Sequence, residues 1–582
     1  QTLDLAIPYV NLDAGVSCPP STLSFADCYR HVRDYWRARV AADAQITTPE
    51  PMINDFYKAD ASHLLINTER EVGNSDCYMA KVGTFHYGVY SNESCMMISD
   101  LDRRGYHDVA ERALETFLRY QGTVKLPGDY TSQEGMFYGA NGYEAGGYNQ
   151  HHGWVLWNMG EHYWYTRDNA WLNRVAPKLI KGIDWITTQR KRTVDEATKN
   201  PLRAIERGLL PPGSLEDIGD WRPWLSNNVF SWWGMDNVAR ALVAAGHPEG
   251  KRLMAEAKAY HKDILAAFTE AMRRSPVVRL RDGSWVPKVP SDVHRRGRSF
   301  GWITETLEGS MYLIRTGAID PNSRLATWII KDYEDNLYLS EQFGYKLEGE
   351  ELERRWFSHG GISQQANLLQ NPVAYLLRDE MQHYVRAYFN AFAVSYFPDT
   401  RMMTEHALPE IGHWFGDHYK SSDESNSTYW LRLMFVQERG EELWLGGALP
   451  RYWLKDGQKV GITHARTYFG PMSMQMESAV SKGQMTMTIE PPTRNGPKVI
   501  YARFRHPEGK RIVRCEVNGK AYEKFDAQKE WVELRDCAGR TEVTVYYDMK
   551  WAMESKRAQR GRQGAPALEP PAPVAVSRML AS

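Results

Sequence analysis

The sequence predicts a mainly α-helical protein, in which helical hairpins form a double ring and an antiparallel β-domain follows at the C-terminal end. From about residue 25 to residue 440, apolar side chains recur every three or four positions, with short Gly- or Pro-marked turns between the segments. After Arg439 the apolar period changes to two. Few β-branched strands separate the helices, which argues against a parallel α/β fold.

The predicted helices are of two kinds. Several carry apolar residues on one face only, as helices at a protein surface do; these are 108–120, 170–189, 250–273 and 379–397. Two others, 153–165 and 302–314, are apolar and aromatic on nearly every side, which is typical of buried helices. An alternation of one-faced outer helices with buried inner helices is what a double ring requires.

The C-terminal segment shows the alternation of β-strands. Its alternating apolar residues are Met472, Met474, Met476, Met485, Met487, Ile489, Val513, Cys515, Val517, Val543, Val545 and Tyr547. The pair Asn518-Gly519 is a strong signal for a two-residue hairpin turn. The sequence therefore predicts an antiparallel β-sandwich here.

We expect the chain to divide into four parts. These are an N-terminal extension (1–50), the helical ring (51–440), the β-sandwich (441–550) and a tail (551–582). The tail is rich in Ala, Pro and Arg and is expected to be disordered, because it cannot bury enough apolar surface to fold.

The composition of the 582 residues excludes some partners. A net charge of −1 argues against nucleic acid, whose binding proteins normally carry a basic excess. No apolar stretch approaches the ~20 residues that cross a bilayer, so no membrane partner is expected. The 20 Trp and 32 Tyr offer flat apolar faces with polar edges, which suit stacking on sugar rings as well as packing in a core.

The six Cys form no CxxC pair, so zinc or thioredoxin-type chemistry is not expected. Cys515 and Cys537 lie in neighbouring predicted strands and could form a disulfide in an exported protein, although isolated buried thiols are more common. The sequence starts at Gln1 without a signal-peptide pattern. This is compatible with the processed form of a secreted or periplasmic protein.

One Gly/Pro-rich loop, just before a helix predicted at 230–245, concentrates acids beside tryptophans. It contains Glu216, Asp217, Asp220, Trp221 and Trp224. Cleavage of a glycosidic bond requires a carboxylic acid to protonate the leaving oxygen and a carboxylate on the opposite side. Aromatic neighbours would hold the sugar and raise the pKa of the acid by desolvation. Acids that cap a helix give the same pattern; we expect at least one of the three acids to be catalytic.

A second acidic segment precedes the last helix predicted in the ring, 429–437. It contains Glu405, His406, Glu410, His413, Trp414, Asp417, His418, Asp423 and Glu424. Three His among acids are compatible with a metal site, but there is no HExxH motif, and Pro and Gly interrupt regular ligand spacing. The segment therefore predicts an active-site rim without a metal, with Glu405 as the first candidate base and Glu424 as the second.

Polar and aromatic residues recur at the predicted starts of inner helices, where side chains would point into a central pocket. The substrate-binding candidates are Tyr87, Tyr90, Glu93, Asn149, His151, His152, Trp154, Trp221, Arg298, Trp302, Glu305, His359, His413 and Trp414. Any one of them is more often a packing residue. Their repetition at equivalent helix ends favours a binding site.

The layout of residues 80–450 resembles the six-hairpin glycosidases, the (α/α)6-barrel group that includes α-L-rhamnosidases and glucoamylase-like enzymes. The motifs that carry the resemblance are His152-Gly-Trp154, the segment from Glu161 to Asp168, Trp171-Leu, 183–186, Gly208-Leu-Leu-Pro211, Arg298-Ser-Phe300, and Trp444-Leu to Pro450-Arg451 followed by strands. It implies an (α/α)6 barrel with a C-terminal antiparallel β-sandwich.

The resemblance also implies inverting hydrolysis of an oligo- or polysaccharide, by exo action and without a cofactor. The general acid then lies before a middle inner helix, at Glu216, Asp217 or Asp220, and the base before a late one, at Glu405. The two carboxyl groups should lie ~6.5–9.5 Å apart across a cavity, which leaves room for a water.

Two other functions stay open from the sequence. A polysaccharide lyase that acts on a uronic-acid-containing glycan would use a Tyr or His base near an Asn or Arg; Tyr143, Asn149, His151, His152 and Arg298 could supply them. A carbohydrate-binding or scaffold protein would keep the ring without catalysis, and the density of acids at loop-to-helix junctions makes it the least favoured. The oligomeric state and the sugar are not defined by the sequence.

Overall fold

The computed structural model describes most of the two regions that the sequence predicts to be folded. The described residues are 24–41, 43–71, 73–84, 87–215, 218–296, 309–335, 366–369, 372–408, 413–415 and 418–548. The predicted disordered tail lies outside them.

Fourteen α-helices lie within this described part of the chain. They are α1 (Phe25–Ala41), α2 (Pro51–Asn67), α3 (Ser91–Arg104), α4 (His107–Arg119), α5 (Gln150–Thr166), α6 (Asn169–Lys199), α7 (Leu225–Ala244), α8 (Gly250–Arg274), α9 (Met311–Arg315), α10 (Arg324–Tyr333), α11 (Ala366–Leu369), α12 (Val373–Leu377), α13 (Met381–Ser395) and α14 (Ser421–Phe435).

These helices alternate between an inner and an outer ring. Helix α3 is buried at every position, α5 at all but two and α14 at all but one. Helices α4, α6 and α8 bury only one face each. Helices α14, α3, α5 and α7 contact one another in that order. Helices α9 and α11 complete the inner ring, and the outer ring consists of α2, α4, α6, α8, α10 and α13. The predicted (α/α)6 barrel is therefore confirmed.

Glycines bring two inner helices into close contact. A Cβ atom on Gly153 of α5 would clash with the backbone of Phe230 in α7, and one on Gly234 of α7 would clash with the backbone of Gly153. Closely packed backbones place the N-terminal ends of α5 and α7 side by side. A side chain at either glycine would force the two helices apart.

Two helix boundaries differ from the sequence expectation. Helix α7 begins at Leu225 and not at 230, and α14 begins at Ser421 and not at 429. The first turn of α14 has the sequence Ser-Ser-Asp-Glu-Ser, and all five residues are buried. A turn made of polar residues has no apolar side chains at helical spacing, so the apolar pattern could not predict it.

Strands form short hairpins in the ring and two larger sheets at the C-terminal end. They are β1 (Gln45–Thr47), β2 (Thr68–Glu71), β3 (Asn74–Ala80), β4 (Gly213–Leu215), β5 (Ile218–Arg222), β6 (Val277–Arg279), β7 (Trp285–Pro287), β8 (Tyr396–Phe397), β9 (Met402–Met403), β10 (His406–Leu408), β11 (His413–Phe415), β12 (Val436–Arg439), β13 (Glu442–Leu445), β14 (Lys459–Thr467), β15 (Gly470–Ala479), β16 (Gln484–Glu490), β17 (Val499–Arg503), β18 (Ile512–Val517), β19 (Lys520–Tyr522), β20 (Phe525–Asp526), β21 (Trp531–Leu534) and β22 (Thr541–Tyr547).

The predicted β-sandwich is confirmed, but it is not wholly antiparallel, because β13 and β17 pair in parallel. A seven-stranded sheet has the order β1-β14-β15-β16-β22-β18-β19, and a five-stranded sheet has the order β12-β13-β17-β21-β20. The methionines that alternate along β15 and β16 are buried in the core. Asn518 and Gly519 connect β18 to β19 with positive φ values of 50° and 72°, as a type I′ hairpin turn requires. Cys515 and Cys537 are free thiols.

The N-terminal extension contributes an edge strand to the larger sheet. Strand β1 pairs antiparallel with β14, with Ile46 opposite Ile462. A three-residue strand is too short to show alternation, so the sequence did not indicate this pairing. The division of the chain at residues 51, 441 and 551 stays a prediction. No helix of the described residues is both long and apolar enough to cross a membrane.

Candidate active site

The first turns of α3 and α14 meet at one end of the inner ring and bring together five polar side chains. We call Tyr87, Glu93, Glu405, Lys420 and Asp423 the lysine cluster. Tyr87 and Glu405 lie on the segments that lead into α3 and α14, and Lys420 directly precedes the first residue of α14. Neighbouring inner helices therefore hold residues that lie more than 300 positions apart in the chain.

Lys420 is the centre of the cluster. Its ammonium donates to Glu93 Oε2 at 2.9 Å and to Glu405 Oε1 at 3.1 Å. It also lies 4.1 Å from the centre of the Tyr87 ring, in cation–π contact. The Tyr87 hydroxyl donates to the other carboxylate oxygen, Glu405 Oε2. Both carboxylate oxygens of Glu405 thus accept from a described donor.

These groups are withdrawn from bulk solvent. Glu405 is 7% exposed and Lys420 is 1% exposed. Burial lowers the pKa of Lys420, but the neighbouring carboxylates of Glu93, Glu405 and Asp423 outweigh it and hold the pKa well above its ordinary value. Lys420 therefore stays cationic.

Asp423 extends the cluster inward. The Ser422 hydroxyl donates to Glu93 Oε2 at 2.5 Å and lies 3.4 Å from Asp423 Oδ2, while Asp423 Oδ1 has no hydrogen-bond partner among the described residues. Burial raises the pKa of Asp423 well above its ordinary value, and Glu93 and Glu405 add to the rise against the attraction of Lys420. Asp423 therefore keeps its proton to higher pH than an exposed aspartate.

Glu424, the second candidate base, does not belong to this cluster. Its carboxylate accepts from His63 Nδ1 at 3.0 Å and from the Met403 backbone N–H at 2.9 Å, and it is fully buried. Adjacent residues of a helix point in different directions, and this side chain faces α2 and not the ring centre. We therefore correct this expectation, since Glu424 has a structural role between α2, β9 and α14.

The acidic loop forms the hairpin β4–β5, and hydrogen bonds attach it to the same end of the ring. Asn227, in the first turn of α7, donates to the Ser214 backbone oxygen at 3.0 Å. Asn149, directly before α5, donates to Ser214 Oγ at 2.7 Å. The N-terminal ends of α5 and α7 therefore carry this hairpin, as the N-terminal ends of α3 and α14 carry the lysine cluster.

Only part of this hairpin is described. Asp220 is 62% exposed and pairs with Arg222 at 3.3 Å, so it does not lie in the buried aromatic setting that the sequence predicts. Trp221 is 52% exposed, whereas Trp224 is fully buried. Glu216 and Asp217 lie outside the described residues, so the expected separation from Glu405 stays a prediction.

His151 and His152 are structural, which corrects their assignment to substrate binding. His151 accepts from the Asn92 N–H at 3.1 Å and donates to the Gly146 oxygen at 2.6 Å. His152 accepts from the Phe137 N–H at 2.9 Å and donates toward the Gly182 oxygen at 3.1 Å. Burial lowers the pKa of His151 to about 3 and that of His152 to about 4. Both are neutral and have no free ring nitrogen.

Two further candidates are also packed inside the ring. Trp154 is stacked on Phe230 with ring centres 5.0 Å apart and meets the edges of Trp157 and Trp233. Asn149 is buried and uses its amide to hold Ser214 and the Pro127 oxygen. We correct both to structural positions. Of the other aromatic candidates, Tyr87 belongs to the cluster and Tyr90 packs against it, with ring centres 5.7 Å apart.

Several candidates cannot be assigned a position. Arg298, Trp302, Glu305 and His359 lie outside the described residues. His413 and Trp414 lie on β11, paired with Leu408 and Ala407 of β10, and only their backbone is described. Their roles stay predictions. Within the described residues, no group of three or more His, Cys, Asp or Glu side chains is arranged to hold a metal ion.

Lys420 and Ser422 were not among the sequence candidates. Nothing in the pattern distinguishes Lys420 from a surface lysine, because its two glutamate partners lie at separations of 15 and 327 positions. The one usable signal was the polar run 420–428, which precedes the apolar end of α14.

Comparisons with known proteins concern the fold. No protein-family model matches the chain, and no curated protein matches it. A Streptomyces avermitilis α-L-rhamnosidase, solved with L-rhamnose, is similar over 86% of this chain and 42% of its own, with a TM-score of 0.49 and 12% identity. A GH78 family rhamnosidase of Bacillus sp. GL1 is similar over 75% of this chain and 40% of its own, with a TM-score of 0.46 and 11% identity.

A bacterial glucoamylase, solved with acarbose, is similar over 70% of this chain and 59% of its own, with a TM-score of 0.43 and 11% identity. The chain thus spans about 40–60% of the length of these three proteins. At this identity, each comparison is a likeness of fold and says nothing about the substrate.

Proposed function

We propose that this protein is a glycoside hydrolase, which cleaves a glycosidic bond of an oligo- or polysaccharide with inversion of configuration. Glu405 is the general base, and Glu216, Asp217 or Asp220 on the hairpin β4–β5 is the general acid. The observation that carries the proposal is the environment of Glu405. It is a buried carboxylate, held on one oxygen by Lys420 and on the other by Tyr87, at the end of a helical ring.

A general base must be ionised, oriented and within reach of the water that it activates. Lys420 supplies the charge that favours ionisation, and Tyr87 fixes the plane of the carboxylate. A water that donates to a remaining lone pair of Glu405 would be deprotonated as it attacks the anomeric carbon. Its proton passes to Glu405, while the acid on the opposite side gives its own proton to the leaving oxygen.

The hairpin β4–β5 supports the second half of this reaction. The hairpin is attached to α5 and α7, and the lysine cluster to α14 and α3. The hairpin and the cluster therefore lie at the same end of the ring but on different inner helices. Inverting enzymes need a gap of ~6.5–9.5 Å between the two carboxyl groups, because a water lies between the sugar and the base. The half-exposed Trp221 offers a face on which a sugar ring can stack.

Exo action is part of the proposal. A pocket at the end of the ring would favour attack at the end of a glycan chain. We also propose that the protein acts outside the cytoplasm, where such glycans are met.

The lyase alternative is less well supported by the described residues. Both ring nitrogens of His151 and His152 are engaged with the backbone, and burial lowers the pKa of each imidazole. Neither histidine is placed to abstract a proton from a uronate. Tyr143 is partly exposed and lies against Lys81, with the ammonium 5.5 Å from the ring centre.

The test is a screen of nitrophenyl glycosides and of plant and algal polysaccharides, with the anomeric configuration of the first product read by NMR. We expect release of a sugar with inverted configuration and loss of activity in Glu405→Gln. Retained configuration would contradict the inverting mechanism. New ultraviolet absorbance from an unsaturated product on a uronic-acid polymer would favour the lyase instead.

A further inference from the structure

The outer face of the five-stranded sheet carries a row of polar and aromatic side chains across four strands. Gln437 of β12 lies opposite Trp444 of β13, Trp444 beside Tyr501 of β17, and Tyr501 opposite Glu533 of β21. Side chains on the other face of the same strands are buried in the core, as Leu443, Leu445, Ile500, Ala502, Val532 and Leu534 show. The row that contains Trp444 and Tyr501 is therefore not part of the core of the sandwich.

Aromatic rings and a guanidinium group organise this face. The Trp444 and Tyr501 ring centres are 4.4 Å apart, and Trp531 meets Trp444 edge-on at 4.5 Å. The guanidinium of Arg439 lies 4.4 Å from the Trp444 ring. Together they form a platform of packed rings, in which Trp444 and Tyr501 face each other and Arg439 lies against Trp444.

A cavity of about 890 Å³ lies over this platform. Its other walls are the turn after α12, at Leu377 and Arg378, and the segment around Lys524 and Phe525. Sites for small ligands have volumes of roughly 300–1,000 Å³. The cavity is therefore large enough for a ligand of about two or three sugar rings.

Packing between sheet and ring engages Arg503 more closely than Arg439. Arg503 is an interface residue, because it pairs with Asp379 of the ring at 2.6 and 3.2 Å. Arg439 donates to Gln437 Oε1 at 2.6 and 3.1 Å and to the Leu376 backbone oxygen of α12 at 3.5 Å, and it hydrogen-bonds to no carboxylate within the described residues. Burial lowers its pKa. Gln437 and the Leu376 oxygen accept from it, and Asp379 and Glu442 act on its charge only through space, without a hydrogen bond.

The charges around the cavity favour a neutral, hydroxyl-rich ligand. Four basic and four acidic side chains line it, so no sign of charge dominates. Hydroxyl groups donate to carboxylates and accept from cations, whereas an anionic ligand would meet as many like charges as opposite ones. Aromatic faces add stacking on the apolar side of a sugar ring.

We propose that this cavity is a second carbohydrate-binding site, separate from Glu405, which takes a neutral oligosaccharide segment on Trp444, Tyr501 and Arg439. The choice of a sugar over other hydroxyl-rich ligands rests on the proposed function. The site holds a polymeric substrate to the enzyme and leaves the reaction itself unchanged.

The test is affinity electrophoresis of the full chain in gels that contain soluble starch, arabinan or galactan as neutral probes and polygalacturonate as the acidic probe. Glu405→Gln serves as the background, so that the probes are not hydrolysed during the run. In this background we expect Tyr501→Ala and Arg439→Ala to weaken retention on a neutral probe about tenfold. The matched control is Trp285→Ala, which removes an exposed tryptophan from β7 far along the chain. Calorimetry confirms that each variant is folded.

Four outcomes overturn the site. They are retention on none of the probes, retention on polygalacturonate alone, unchanged retention in both cavity variants, and an equal loss in Trp285→Ala. Hydrolysis of a nitrophenyl glycoside by Tyr501→Ala, with Glu405 intact, separates the two proposals. If this variant cleaves the glycoside normally and retention is unchanged, the second site is ruled out and the hydrolase proposal stands. If neither the wild type nor this variant cleaves a glycoside but the cavity variants lose retention, the hydrolase proposal is ruled out and the second site stands.

Discussion

Lys420 Nζ lies 3.1 Å from Glu405 Oε1 in a buried ion pair, although the two residues are on either side of the hairpin β10–β11. The same ammonium lies 2.9 Å from Glu93 Oε2. One cation thus supports two carboxylates in a place where water does not screen them. Removal of one partner from such a site leaves a buried charge without compensation.

We expect Lys420→Met to lower kcat roughly 10²-fold, because a group that stabilises charge at the reacting centre is lost. The acidic limb of the pH–rate profile should also move to higher pH, since a carboxylate without its cationic neighbour takes up a proton more readily. Lys420→Arg keeps the charge and should retain more activity. A pH profile of Lys420→Met that matches the wild type would contradict this role.

Glu405→Gln and Glu424→Gln form a matched pair of buried glutamates. Glu405→Gln should lower kcat by roughly 10²–10⁴-fold, because the proton acceptor is lost, while Glu93 still pairs with Lys420. Glu424→Gln should leave the chemistry largely intact and lower the melting temperature, because the pair with His63 is weakened. Steady-state kinetics and calorimetry on both variants check this. The opposite pattern would make Glu424 the base.

The fold could be predicted because it depends on local periodicity. Helices α4, α6, α8 and α13 have one apolar face each, and the alternating methionines of β15 and β16 mark their strands. These patterns are visible within about fifteen residues of sequence. Strand β1 could not be predicted in this way, because its partner β14 lies more than 400 positions away.

The site could be predicted only in part. Glu405 was identified from its acidic surroundings, and the structure places it in a polar cluster. His151, His152 and Trp154 were misassigned because a buried residue that stabilises the start of an inner helix has the same sequence position as one that faces a ligand. Only hydrogen-bond partners distinguish the two, and these lie in distant segments.

Two tryptophans from the sequence candidates should behave differently. Trp221→Ala should raise KM several-fold with little change in melting temperature, because Trp221 is half exposed on the hairpin β4–β5. Trp154→Ala should cost about 3–5 kcal/mol of unfolding free energy, because its ring is buried among three aromatic neighbours. Kinetics and denaturant unfolding of both variants separate stacking from packing. A KM that does not respond to Trp221→Ala would remove Trp221 from the substrate site.

His152 should make stability depend on pH. Its pKa falls from an ordinary 6.5 to about 4 in the folded state, so the unfolded chain binds more protons in between. The stability due to His152 is therefore full above pH 6.5 and is lost as the pH falls toward 4.

Asp43 changes the unfolding free energy with pH in the opposite direction, because burial raises its pKa to about 7. The effect of His152 must therefore be measured as the difference in unfolding free energy between the wild type and a His152 variant. We expect the gap in unfolding free energy between the wild type and His152→Gln to narrow as the pH falls from 6.5 to 4. A constant gap would mean that the imidazole does not change protonation on unfolding.

Arg104 is the structural counterpart of Lys420, buried deeper on α3. Its guanidinium donates to Asp43 and Asp60 at 2.6 Å and to Asp100 at 2.9 Å, and all four side chains are withdrawn from solvent. Arg104→Met should cost about 3–5 kcal/mol of unfolding free energy or prevent folding, because three buried acids lose the one cation that bonds them within the described residues.

The matched control for this variant is Arg174→Met. Arg174 also pairs with two acids, Glu111 and Glu115, but it is 52% exposed. Exposed pairs contribute about 0–1 kcal/mol, so this variant should melt close to the wild type. Equal losses in the two variants would show that burial does not set the cost. A large loss confined to Arg104→Met would mean that this ion cluster joins α2, α3 and the segment before β1 into one cooperative unit.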